Sequence, residues 1–329
     1  MSRNATLTLV LIFFVLIVTG VFCVEPAKAQ FQADITINVD GSVTPSSAPI
    51  LQSGSRYSLT SNINESIAVK RSNMVLDGNG YTISEATIYI LDVSNVTAKN
   101  LTITNSYQGI SIADSSGVII TNNTIRETGA YLPFSETWAI SIQRGNTSQI
   151  IENNIIDNMV GVSFAETSDN LVIGNNISDC SSIAFGLYNS SDNRIYHNNL
   201  VNNSLQFKDE GIGLYPYMSS MNTWDNGSIS GGNYWSDYEL KYPDSKEINH
   251  SGIWNISYVI DRNNVDNYPL TRQVDISAIA PTATPIEQTV IPIIPIAASV
   301  AVVALVAAGL LVYHKKTQTQ IQNSLVKKP

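Results

Sequence analysis

Cysteine is almost missing from this chain, with two in 329 residues. Cys23 lies in an apolar N-terminal run and Cys180 stands alone behind it, so no intrachain disulfide holds the part that follows the leader. Histidine is scarce as well. A copper centre needs clustered His, Cys or Met, and residues 30–290 offer only His197, His250 and Cys180 beside the scattered Met74, Met159, Met218 and Met221. Positive charge is thin: the same stretch holds 12 Lys+Arg against 26 Asp+Glu, a net of −14. Such a surface repels phosphate backbones and excludes a nucleic-acid partner. No segment of it carries a 3.6-residue apolar stripe, which excludes a helical fold.

The long apolar runs sit at the two ends. Arg3 precedes "LTLVLIFFVLIVTGVFCV" and a small-residue "AKA" site, so residues 1–29 read as a signal peptide cleaved after Ala29. The length of the run leaves an uncleaved anchor as the alternative, and Phe22 is too bulky for a lipoprotein box at Cys23. Near the other end, "TVIPIIPIAASVAVVALVAAGLLVY" is uncharged and stops at His314-Lys315-Lys316. Residues 289–313 are therefore expected to form a transmembrane helix, with 314–329 as a cytoplasmic tail. The Pro/Thr segment 274–288 reads as a stalk. This places the bulk of the chain outside the cell on a single membrane span.

What the middle does contain is a repeat. Alternating runs such as "TIYIL", "GISIA", "AISIQ", "GVSFA" and "FGLYN" are each followed by a polar turn and a second alternation that ends in asparagine, often paired: "TNNTI", "ENNII", "GNNIS", "HNNLV". Marking Asn100, Asn123, Asn154, Asn176 and Asn199 gives steps of 23, 31, 22 and 23 residues, the long one holding "GAYLPFSETW" as an inserted loop. Short strands at a repeat near 22 residues predict an all-β, single-stranded parallel β-helix, right-handed by the crossover rule. Stacked coils about 4.8 Å apart bring equivalent side chains into files. The asparagines serve its corners by tolerating left-handed backbone and by passing amide hydrogen bonds between coils; which member of a pair points inward is open. The expected organisation is an N-terminal cap and first strands (30–66), coils (67–205) and an aromatic C-terminal cap (206–273).

Three blocks, "DGSVTPSSAPILQSGSRYSLTSNI" with "VLDGNGYTI", "NTWDNGSISGGNYWSDY" and "VIDRNNVDNYPL", resemble the NosD-like right-handed β-helix family, in its archaeal cell-surface form. The resemblance spans about Ala33 to Arg272. It implies a carbohydrate-binding and sugar-hydrolase type of repeat, and a periplasmic copper-maturation accessory as the namesake's role. Copper or calcium is implied by the resemblance alone. Where relatives carry an acidic loop before the final "NYPL", this chain reads "HSGIWNISYVID", which removes the carboxylates of a calcium-type site.

Candidate chemistry follows from position. Asp92 and Asp114 fall on the same turn of successive coils, with Arg144 one position off on the next; two carboxylates there suit Ca²⁺ or catalysis by a lyase or glycoside hydrolase, and solvated turn residues are the alternative. Trp224, Asp225, Tyr234, Trp235 and Asp237, beside Asn226 and Asn233, suit sugar stacking and hydroxyl binding, while large aromatics also suit sealing an open solenoid end. Sequons at Asn64, Asn95, Asn122, Asn146, Asn189, Asn202, Asn226, Asn249 and Asn255 are glycosylation candidates, with Asn100 and Asn176 held in ladders. The expectation is a non-catalytic surface protein that binds polysaccharide, a surface-layer glycoprotein or another envelope component. A copper-maturation accessory and a polysaccharide lyase or hydrolase are the alternatives.

Overall fold

Period-two alternation decides which side of each strand turns inward. In Ile88–Leu91 and Ile110–Ala113 the first and third residues are buried and the others half-buried. Three such strands, joined by tight polar corners, make one coil. The structure, a computed structural model, describes residues 33–129, 137–209 and 220–276. They form a right-handed parallel β-solenoid of about seven coils at a spacing near 22 residues. The signal segment, the centre of the inserted loop, most of the stalk, the expected span and the tail lie outside the described residues. Among the described residues no helix is long and apolar enough to cross a membrane.

One coil shows the plan: Val160–Ala165 in sheet A, Leu171–Ile173 in sheet B and Asn176–Ser178 in sheet C. Each strand pairs in parallel with its counterparts one coil below and above. Apolar side chains therefore stack in vertical columns. Ile88, Ile110, Ile140, Val162, Phe185 and Phe207 are in register in sheet A, and Ile83, Ile103, Ile125, Ile155, Ile177, Leu200 and Trp235 in sheet C. Full burial stabilises each such side chain by roughly 1.5–3 kcal/mol. This stacking does the work that disulfides would do elsewhere.

The corners correct the asparagine register. Left-handed backbone between sheets B and C falls on Asn100, Asn122, Glu152, Gly174 and His197, with φ from 53° to 66°, so the position is not reserved for asparagine. The next residue points inward. Asn123, Asn153, Asn175, Asn198 and Asn233 are all at most 2% exposed. Their amides form one file: Asn123 Nδ2 donates to Asn153 Oδ1 at 2.9 Å, Asn153 to Asn175 at 3.0 Å, Asn175 to Asn198 at 2.9 Å and Asn198 to Asn233 at 3.0 Å. Each Oδ1 also accepts a corner backbone N–H, as from Asn153 N to Asn175 at 2.9 Å. That satisfies a donor which the strand ladder leaves behind. Asn154, Asn176 and Asn199 instead begin the sheet C strands, in register with Thr102 and Thr124. The steps are therefore 22, 30, 22 and 23 residues, and Asn100 and Asn123 belong to other columns than Asn154.

A second file escaped the sequence reading. Asn170 Nδ2 donates to Asn193 Oδ1 and Asn193 Nδ2 to Asn222 Oδ1, both at 2.9 Å, and Asn222 N reaches Asn264 Oδ1 at 3.0 Å. Its first three members sit in "SDN", "SDN" and "SMN", where a single asparagine reads as ordinary turn chemistry, and the last in the pair Asn263-Asn264.

At the N-terminal end, Ile35–Ile37 pairs antiparallel with Val43–Thr44 and parallel with Ile67–Val69, while Ile50–Ser53 and Arg56–Leu59 form a hairpin on sheet B. These close that end of the solenoid. At the other end the repeat continues for one more turn. Leu205–Asp209 extends sheet A, Thr223 bridges to Arg194 in sheet B and Tyr234–Trp235 extends sheet C. Beyond it lie a one-turn helix, Tyr238–Lys241, and a short hairpin of Tyr258–Val259 with Val265–Asp266.

Candidate functional site

The aromatic residues of the C-terminal end divide into a plug and a rim. Trp224 and Trp235 are 0% and 1% exposed. Trp224 sits edge-on between Phe185 and Phe207, with centroids at 5.8 and 5.2 Å. Trp235 stacks on Tyr258 at 4.1 Å and an interplanar angle of 6°. Both indole faces are thus covered by protein, and of the two roles expected for these aromatics the geometry is that of sealing; neither ring is free to carry a sugar. Asp225 ties two loops by accepting from Gly227 N at 3.0 Å and Asn267 Nδ2 at 3.0 Å. Tyr234 extends sheet C. Asp237 lines a cavity.

The plug is pinned by a carboxylate that sequence reasoning passed over. Asp266 Oδ2 accepts Asn233 N at 2.7 Å and Trp235 Nε1 at 2.9 Å, and its Oδ1 accepts Tyr268 N at 3.1 Å. It therefore ends the first amide file. Burial pushes its carboxyl up to about 7 against the pull of these donors.

Asp237 opens into a cleft of about 540 Å³ between the last sheet A strand and the one-turn helix. Gln206, Ser236, Asp237 and Tyr258 supply polar atoms; Leu205, Phe207, Leu240 and Ile260 supply apolar wall. Tyr258 Oη donates to Asp237 Oδ2 at 2.9 Å, and Gln206 Nε2 to Ser236 Oγ at 3.2 Å. Burial and the Asp237 charge hold the Tyr258 hydroxyl protonated, well above its usual range. Lys241 Nζ lies 4.0 Å from the Tyr258 ring centroid and donates to Val259 O at 2.6 Å. Leu205, Leu240 and Val259 are exposed large apolar side chains at its edge. An apolar wall with a few fixed polar atoms can hold a small polar ligand with an apolar face. Hydrolysis of a glycosidic bond asks for two carboxylates flanking it; the described lining offers Asp237, already accepting from Tyr258.

Asp92, Asp114 and Arg144 do share a corner, but the reading needs correction. Leu91, Ala113 and Gln143 are in register, so the three following residues stack directly and Arg144 is not offset. Arg144 Nε and Nη2 grip Asp114 Oδ1 and Oδ2 at 2.8 and 3.0 Å. This bidentate pair occupies the carboxylate that calcium would need. Its hydrogen bonds also push the Arg144 guanidinium further up, the reverse of what a proton-accepting arginine requires.

Among the described residues, the copper implied by the resemblance finds no fitting donor set. His197 Nε2 contacts Ser230 O at 2.7 Å, His250 is exposed on a separate loop, and the buried Cys180 thiol is pushed up to about 12 by desolvation. Among the described residues no three His, Cys, Asp or Glu come together to hold a metal ion. The loop that replaces the relatives' acidic stretch leads to Asp261, which accepts from Asn263 N, Asn264 N and Asn264 Nδ2. It braces the hairpin.

Sequon asparagines at 64, 95, 122, 146, 189, 202, 226, 249 and 255 are exposed. Asn95 Nδ2 donates to Asn73 Oδ1, Asn122 to Asn100 and Asn176 to Asn154, so those amides are engaged in side-chain ladders.

Residues 50–240 match the profile of the family described as periplasmic copper-binding protein (NosD). The chain belongs to the NosD family. No curated protein matches this NosD-family chain. Among solved structures it is similar to the periplasmic alginate epimerase AlgG, at 14% identity and a TM-score of 0.37, over 49% of this chain and 42% of that one. A mutant of the same epimerase aligns at 18% identity and a TM-score of 0.31, over 59% and 52%. The chain thus spans about half the length of these structures, and alignments this partial carry no functional argument.

Proposed function

We propose that this NosD-family solenoid is a non-catalytic protein displayed outside the membrane, exported by residues 1–29 and held by a span at 289–313, that binds carbohydrate of the cell envelope in the cleft beside Asp237. The observation that carries this reading is the cleft itself, where Asp237, Gln206 and Ser236 stand over the apolar wall of Phe207 and Leu240. Sugars present that same combination of hydroxyl edge and apolar face. The acidic surface favours an uncharged glycan, free or on a surface-layer glycoprotein. Among the described residues the family's copper description meets no cluster of three metal-binding side chains.

Retention of the full chain on immobilised neutral glycans tests it. Asp237→Asn and Leu240→Asp are expected to weaken binding about tenfold, the worth of one good hydrogen bond or one apolar contact, with an unchanged melting temperature. Binding that ignores both substitutions, or no glycan binding at all, overturns the reading.

A further inference from the structure

The corner between sheets A and B carries a second binding feature, separate from the cap cleft. Three successive coils place Arg144, Glu166 and Asn189 in one row, because Gln143, Ala165 and Tyr188 before them are in register. Asn146, Ser168 and Ser191 form a parallel row two residues on, bridged coil to coil. Between the rows the chain turns inward, and Thr167 floors the space at 4% exposure. The result is a trench of about 420 Å³ running along the solenoid axis.

Ser168 Oγ donates to Asp169 Oδ2 at 2.8 Å and Ser191 Oγ accepts from Met221 N at 3.0 Å, which leaves Thr167, Glu166, Asn146 and Asn189 as the groups open to a ligand. The Thr167 hydroxyl is buried without a hydrogen-bond partner, a condition that costs free energy unless something else supplies one. Arg144 grips Asp114 on the preceding coil through both Nε and Nη2, and the charges of Glu166 and Asp92 act on the same guanidinium, so carboxylates outnumber the one cation here. Glu166 and the side-chain amides of Asn146 and Asn189 are exposed and make no hydrogen bond or ion pair among the described residues. With Arg144 neutralised by Asp114, the trench keeps the negative charge of Glu166.

Charge and spacing select the ligand. A net negative trench repels polyanions. Equivalent groups recur at the strand spacing of about 4.8 Å, whereas an extended peptide repeats at about 3.3 Å and would fall out of step. A pyranose linked through opposite ring carbons advances by about one coil, and its hydroxyls match carboxylate, amide and hydroxyl partners. We propose that this trench is a second carbohydrate site, taking a linear, uncharged polysaccharide segment laid along the solenoid axis, one sugar per coil.

The test is equilibrium binding of the full-length chain, produced without N-glycosylation because Asn146 and Asn189 are sequons, to linear neutral β-glucan oligomers from di- to hexasaccharide, with oligogalacturonates as the anionic counterpart. Affinity is expected to rise to the trisaccharide and then level off, and to exceed that for the uronates. Measured in an Asp237→Asn background, which removes the cap cleft's share of the binding, Glu166→Lys and Asn146→Ala should each weaken it about tenfold at unchanged melting temperature. If Asp237→Asn abolishes binding and Glu166→Lys does nothing, the trench proposal falls and the cap cleft stands. Preference for uronates, or no binding of any neutral oligomer, also overturns it.

Discussion

Two neighbouring asparagines should differ sharply in what they hold up. Asn175 is fully buried. Its Oδ1 accepts Asn153 N at 2.9 Å, and its Nδ2 reaches Ile150 O at 2.8 Å and Asn198 Oδ1 at 2.9 Å. Asn175→Ala would strand the Asn153 N–H inside the solenoid, at about 1–3 kcal/mol, and would remove three further bonds, the one from Asn153 Nδ2 at 3.0 Å included, worth about 1 kcal/mol each. The total is roughly 4–6 kcal/mol, or a fall in Tm of about 15 °C for a domain of this size. Asn176, half-buried one residue later, donates to Asn154 Oδ1 at 2.9 Å. Asn176→Ala should cost about 1 kcal/mol and about 3 °C. Thermal melting and urea titration of the two variants beside the parent measure both. Equal losses, or a greater loss at Asn176, would refute the amide file as an internal support and return these residues to simple corner formers.

Four further outcomes are expected. Asp266 holds its proton to about 7 when folded, against 3.8 as the ordinary value, so the folded state binds more protons between these limits. Stability should therefore fall as pH rises from about 4 through about 7, by a few kcal/mol; urea titrations across that window should show the slope, and Asp266→Asn should flatten it. Trp235→Ala should destabilise by about 3–5 kcal/mol through the cavity it leaves while affinity per folded molecule for a cleft ligand stays unchanged, as melting and retention measured together would show. Arg144→Ala breaks an ion pair whose side chains are 44% and 40% exposed, so denaturation should register less than about 1 kcal/mol, shrinking in high salt. In a Cys23→Ala variant, Cys180 should resist thiol reagents until the chain is unfolded, since its buried thiol is pushed up to about 12; rapid labelling of the folded protein would contradict that burial.

The periodicity of Ile and Val fixed the strands, the repeat near 22 residues and the solenoid they build, because apolar alternation and turn residues act within a few positions of each other. The C-terminal end was less legible, since Leu205–Asp209, Thr223 and Tyr234–Trp235 add one more turn beyond the expected last coil. The amide file could not be placed from the sequence. Most corners between sheets B and C offer two adjacent positions, one left-handed and one inward, and asparagine suits both, so spacing alone sets Asn123 beside Asn154 while its partner is Asn153. The inserted loop before Trp138 hid the register of Arg144 with Asp114 in the same manner. Composition likewise could not separate an indole that plugs the tube from one that faces solvent: Trp224 and Trp235 needed Phe185, Phe207 and Tyr258 around them to become core. The cleft at Asp237 and the trench at Glu166 are assembled from residues more than twenty positions apart. Their geometry arises only when coils stack, since side chains on different coils meet through inter-strand hydrogen bonds and not through their order along the chain.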